Sequence, residues 1–397
     1  MPTISFKGLT HLKHKLNVYV QLASTYLSTY NLFGPSATPA HNGIMGQGLA
    51  WDGTHVFVTA PGKGPLGTAT PGKVYYYITS ATGTSNEIVL SETSSSSSHL
   101  FGYAIACTAS WYAISDVGGT TTTCKVYIFP VATLPTTSGN APTTQTISNP
   151  GTSSQFGSSL ALNGTTLIVG DPGGTKVYVY KYTTTWSVSQ TISAPSGSSG
   201  FGTSVSLYGA TMVVGAPTDN SGYSHAYVYT NNGTTWSLTQ TLTSNTAHEK
   251  FGQSVKIKST GIVIGAPSAT AYGSGSVYYY ATYSSPAVQL KVASTGTPNI
   301  LDTTGTTIYG VGTSVDIHDT ANAIIAGAPT SSSGMGKAYL FELDNGNWQG
   351  ASTNPVMTVS GTNGFGNNVL FCKNSIMIAQ YQSNSSYYSS AFYYIQN

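Results

Sequence analysis

The sequence predicts an all-β fold, a seven-bladed β-propeller of four-stranded antiparallel blades. Three observations lead there: a Phe-Gly pair or a close substitute that recurs seven times, an aromatic-bearing strand in every copy, and a composition almost empty of charge. The chain of 397 residues reads as one domain, with residues 1–43 as an N-terminal segment and blades starting near residues 44, 100, 155, 200, 250, 310 and 364.

The pair, or a close substitute, stands at Met45-Gly46, Phe101-Gly102, Phe156-Gly157, Phe201-Gly202, Phe251-Gly252, Val311-Gly312 and Phe365-Gly366. After each comes the same order of parts, plainest where Phe201-Gly202-Thr203-Ser204 opens a short alternating run, Tyr208-Gly209 turns it, and a second run closes on Gly215-Ala216-Pro217. Two alternating runs joined by a tight turn read as a β-hairpin. Asn163-Gly164 and Asp52-Gly53 tolerate the positive φ of a type I′ turn. The Pro of Gly-Ala-Pro cannot donate to a ladder and ends the second strand.

A third strand follows in every copy, at residues 74–77, 126–129, 177–180, 226–229, 277–280, 338–341 and 391–394. Its second and fourth residues are always Tyr or Phe, and its first is Val or Ala. With a strand period of two, the rings share one face and the small groups the other, so each sheet is expected to seat its rings on the small face of the next. Such rings bury ~150–250 Å² apiece. Fourth strands led by Trp186 and Trp236 complete the unit. The last copy runs out after its third strand, and residues 16–22 are the expected donor of its missing outer strand, closing the ring and removing its edges.

These motifs resemble the FG-GAP repeats of the integrin α-subunit propeller and its relatives, over roughly residues 44–397. The resemblance implies adhesion and recognition of proteins or carbohydrates, and fold analogy alone fixes no function. Integrin-like blades often carry an Asp-rich calcium loop between the first two strands. Here that connection is a bare turn, as in Leu162-Asn163-Gly164-Thr165, and offers few of the six to eight oxygens calcium takes. No metal and no cofactor are expected. The nearest approach is Asp316 with His318, which share a strand face and read as solvated turn residues.

Composition bears on partners. Charged residues make up 7% of the chain; all 14 basic Lys/Arg residues are lysine, so the bidentate guanidinium fork is absent and nucleic acid is not an expected partner. The one local basic cluster, Lys7, Lys13 and Lys15, reads as a solvated terminus. Cys107, Cys124 and Cys372 have no metal-like spacing, and Cys107 and Cys372 read as small buried hydrophobes near the axis. No run of apolar residues is long enough to span a membrane, and the N-terminus is too polar for a signal-peptide core, so no cleavable leader is expected.

The scattered carboxylates and histidines, His55 and Asp52 about a hairpin turn among them, form no catalytic motif, and no GxSxG elbow occurs. The expectation is a non-enzymatic recognition or structural propeller exposed outside a cell or on a particle, such as a virion surface or capsid, with protein partners. The alternative is a secreted lectin- or adhesin-like module binding carbohydrate or protein; a hydrolase with a central-face site is the third reading. Candidate binding residues are aromatics in loops that the repeat does not dictate: Tyr223, Tyr272, Tyr381, Tyr387 and Tyr388.

Overall fold

The structure is a computed structural model. It describes residues 3–6, 29–31, 47–61, 72–80, 83–84, 88–92, 100–118, 123–142, 145–195, 198–218, 224–243, 250–267, 275–290, 308–320, 323–331, 336–344, 347–349, 357–360, 364–372, 375–380 and 390–395. Among these, every extended element but one short pair belongs to antiparallel-based sheets: five have four strands and two have six. The chain is an all-β propeller of four-stranded antiparallel blades, two of which carry added edge strands.

The innermost strands, in chain order, are Leu49–Trp51, Phe101–Cys107, Ser159–Asn163, Ser204–Tyr208, Ser254–Lys258, Ser314–Ile317 and Phe365–Cys372. The fourth sheet shows the plan, with Ser204–Tyr208, Thr211–Ala216, His225–Asn231 and Trp236–Thr243 paired in that order. Its second strand stops one residue before Pro217, as the motif requires. The hairpin turn differs from expectation. Gly164 and Gly209 have φ of 55° and 56°, but no positive φ occurs at Asn163 or Thr165, so glycine takes only the first central position, the pattern of a type II′ turn.

The sheets meet face to face through apolar clusters. Val177 and Val179 of the third sheet pack with Tyr227, Tyr229 and Phe201 of the fourth, and Val213, Ala226 and Val228 of the fourth pack with Tyr278, Tyr280 and Phe251 of the fifth. Rings therefore lie on the small face of the preceding sheet, where the following one was expected. The Phe of the repeat motif explains the direction. It meets the first Tyr of its own third strand edge-on, at 5.7 Å for Phe201 and Tyr227 and 5.0 Å for Phe251 and Tyr278, and the pair enters the neighbour as one unit. The same kind of cluster joins Leu370, Cys372 and Met377 of the last sheet to Val56, Tyr75 and Tyr77 of the first, so the circle is continuous.

Closure by the early chain also differs in detail. The outer place in the last sheet is taken by Thr29–Asn31, antiparallel to Ser390–Ile395 with Tyr30 opposite Tyr393. Residues 16–22, the expected donor, lie outside the described residues. An outer strand needs little apolar alternation, because its solvent face is open: Trp186–Ser193 buries only Trp186 and Ile192. The apolar pattern of residues 16–22 was thus a poor guide. A further early strand, Thr3–Phe6, adds to the outer strand Met357–Ser360 of the sixth sheet.

Candidate functional site

The site begins with the glycine of the repeat motif. Gly102, Gly157, Gly202, Gly252, Gly312 and Gly366 have φ between 87° and 93°, a region side chains rarely enter. Their carbonyls are thereby aimed at the preceding sheet. Ser159 Oγ donates to Gly202 O at 2.7 Å, Ser204 Oγ to Gly252 O at 2.8 Å, Ser254 Oγ to Gly312 O at 2.8 Å and Ser314 Oγ to Gly366 O at 3.0 Å. At the ring's seam Asn368, the counterpart of these serines, donates through Nδ2 to Gln47 O at 3.0 Å. The glycine of Gly-Ala-Pro makes room for the same carbonyl: a Cβ on Gly215 would stand 2.0 Å from Gly252 O. In the first two sheets the pair is exchanged. Gly48 faces Thr59 and Ala104 faces Ser115, with the hydroxyl now on the second strand and accepting from the backbone N–H of Gly48 at 2.8 Å and of Ala104 at 2.9 Å.

This latch fixes the residue just before each serine. Gln47, Tyr103, Ser158, Thr203, Gln253, Thr313 and Asn367 come one from each inner strand or its approach, and all are half-buried. They form the mouth of an axial cavity of about 680 Å³, whose walls continue through the latch residues to Leu49, Ile105, Leu160, Val205, Val255 and Val315. Three hydroxyls of the mouth turn back on their own loops: Ser158 donates to Gln155 O, Thr203 to Gly200 O and Thr313 to Gly310 O, each at 2.7 Å. Among the described residues, the amides of Gln47, Gln253 and Asn367 and the Tyr103 hydroxyl make no hydrogen bond to protein. Among the described residues, the cavity lining holds no carboxylate, imidazole, ammonium or thiol.

A set of ionisable groups lies toward the other end of the inner strands, while buried Asp116 and Asp171 end second strands on the side of the mouth. Asp316, expected as a solvated turn residue, is fully buried. It accepts from Ile317 N at 2.9 Å and, across the sheet boundary, from Phe371 N at 2.7 Å, with Lys258 Nζ at 3.6 Å and Lys256 Nζ at 3.7 Å. Its strand-mate His318 is half-buried and stacks edge-on to Phe371 at 5.3 Å, so the two residues do not form a ligand pair. Asp52 caps its turn by accepting from Thr54 N and His55 N at 2.7 and 2.6 Å, pairs with His55 Nδ1 at 2.8 Å, and accepts the Tyr112 hydroxyl. Burial pushes its carboxyl up, but the combined hydrogen bonds from His55, Tyr112 and Thr54 outweigh it and hold the pKa at about 2. These groups tie sheets together. Among the described residues, no three His, Cys, Asp or Glu side chains cluster as a metal site would need.

None of the five sequence-chosen tyrosines, Tyr223, Tyr272, Tyr381, Tyr387 and Tyr388, lies within the described residues. The axial mouth was missed, although one column of the repeat, the residue after each motif glycine, contains it.

A circle of four-stranded sheets packed face to face about a common cavity defines a β-propeller. FG-GAP repeats match at residues 186–229 and 236–280, so these two units of the propeller are FG-GAP repeats. Each matched span runs from a Trp-led outer strand to the ring pair of the next sheet's third strand, which is how outer strands become offset from their sheets in sequence. No curated protein matches the chain. Among solved structures, it is similar to the β-propeller domain of the Trilobed protease from Pyrococcus furiosus, described as having an open velcro topology, at 12% identity with a TM-score of 0.48, covering 87% of this chain and 93% of that one.

Proposed function

We propose that this chain is a non-enzymatic recognition propeller, a ring of seven blades that offers a rigid face to protein partners at an exposed surface, in first place that of a virion or capsid. One observation carries the reading. The axial mouth draws an uncharged, half-buried side chain from every sheet, and acid–base chemistry would need titratable groups converging there. FG-GAP repeats and the low overall charge support the same reading. The uncharged lining equally favours the second reading, a secreted carbohydrate-binding module of lectin or adhesin kind.

Amine cross-linking of native particles tests the first reading. Lys73, Lys125, Lys176 and Lys250 all lie at the end of the sheets that carries the axial mouth. Cross-links from these lysines to a single particle protein are expected. A chain that fractionates away from particles and yields no intermolecular cross-link from them rejects the reading.

A further inference from the structure

We infer that the axial mouth is a binding site for a neutral oligosaccharide. The volume of about 680 Å³ lies within the range of roughly 300–1,000 Å³ that holds small ligands. The lining then selects among chemistries. An apolar ligand would strip water from Gln47, Gln253, Asn367 and the Tyr103 hydroxyl without replacing its hydrogen bonds, a penalty for every group left unmatched. An anion or cation would find no counter-charge among the described residues that line the cavity. Lys73, Lys125, Lys176 and Lys337 open third strands, two strands outward from the inner ones, or roughly 10 Å at the usual spacing, while Lys256, on an inner strand beyond Val255, lies 3.7 Å from Asp316, and Lys250 stands three residues before Gln253 on the approach to the mouth.

A sugar hydroxyl is both donor and acceptor, and so is a carboxamide, which presents its oxygen and nitrogen side by side to neighbouring hydroxyls. The three hydroxyls already donating to their loops, on Ser158, Thr203 and Thr313, keep lone pairs for a ligand's O–H. Among the described residues, Tyr103 supplies a ring at the mouth for a pyranose face, and the aliphatic floor takes the C–H side. The matched ligand is a short neutral chain of about two or three sugar units.

The inference deepens the carbohydrate reading and rests on the same cavity. It is independent of the protein partner, which the cross-links test separately. Full-length protein is titrated with maltotriose, cellotriose and chitotriose, and with an anionic sialylated trisaccharide, by saturation-transfer NMR and calorimetry. At least one neutral trisaccharide is expected to saturate at millimolar concentration or below. Q47A and Q253A should each weaken it about five-fold, the loss of one hydrogen bond, while L238S, at an exposed position on the outer strand of the fourth sheet, should leave it unchanged. Circular dichroism melts of all variants keep an unfolded protein from passing as a non-binder. Failure of all three neutral sugars to bind, equal affinity for the anionic one, or affinity unaltered in folded Q47A and Q253A overturns the inference.

Discussion

Replacing Gly215 with alanine probes the latch at its tightest point. The new Cβ would stand 2.0 Å from Gly252 O and 2.3 Å from Ser204 Oγ, distances at which backbone of the next sheet has to retreat. Overpacking of this kind costs ~1–3 kcal/mol, and retreat also breaks the 2.8 Å bond from Ser204 to Gly252 O, worth about 1 kcal/mol. G215A should therefore lower stability by about 2–4 kcal/mol, read as a fall in the guanidinium midpoint at unchanged slope. The second sheet supplies a sharper control, since it already carries Ala104 opposite Ser115. G215S alone should be as damaging as G215A, and S204A/G215S should recover at least ~1 kcal/mol through coupling of the pair. A loss under about 1 kcal/mol for G215A, or a double variant no more stable than G215S, would refute the latch as the device that sets blade spacing.

Removing Asp316 by D316A should destabilise by about 3 kcal/mol, because the Phe371 N–H and two lysines lose their acceptor; a midpoint change below about 1 kcal/mol argues against the bridge. Asp52 has a folded pKa of about 2 against 3.8 for the free group, so its contribution is present above pH ~4 and is lost as pH falls toward 2. That amounts to about 2 kcal/mol at a side chain only 2% exposed, and the stability gap between wild type and D52N should shrink over this interval; a gap that stays flat down to pH ~2 counts against it. Burial raises the thiols of Cys124 and Cys372, so neither should react with iodoacetamide at pH ~8 before unfolding, and mass spectrometry showing native alkylation would contradict their burial.

Whatever repeats within one sheet was legible from sequence. Phe-Gly, Gly-Ala-Pro and the ring pair of the third strand each answer to a local demand: a positive φ, a strand end, a two-residue period. What the sheets do to each other was harder to read. Ser204 and Gly252 are 48 residues apart, and nothing in the motif Gly-Thr-Ser announces that its serine holds the next copy. The strand donor was misread for a physical reason, since an outer strand open to solvent carries no burial pattern to detect. The choice of loop tyrosines followed the rule that function sits where repeats are irregular. Those tyrosines lie outside the described residues, and the cavity mouth is instead one column of the repeat, the residue after each motif glycine.

The two neighbours on each inner strand answer to different constraints, and this bears on how such a propeller could change its ligand. Ser204, Ser254 and Ser314 are held by the latch, and altering any of them disturbs the spacing to the next sheet. Thr203, Gln253 and Thr313, one residue earlier, face the cavity; Thr203 and Thr313 bond only within their own loops, and the Gln253 amide bonds to no described residue. Substitution there should fall within the ~0.5 kcal/mol typical of surface positions. Recognition can thus be rewritten around the mouth with little change in stability, because the side chain of the latch and the side chain at the mouth are separate residues in every copy.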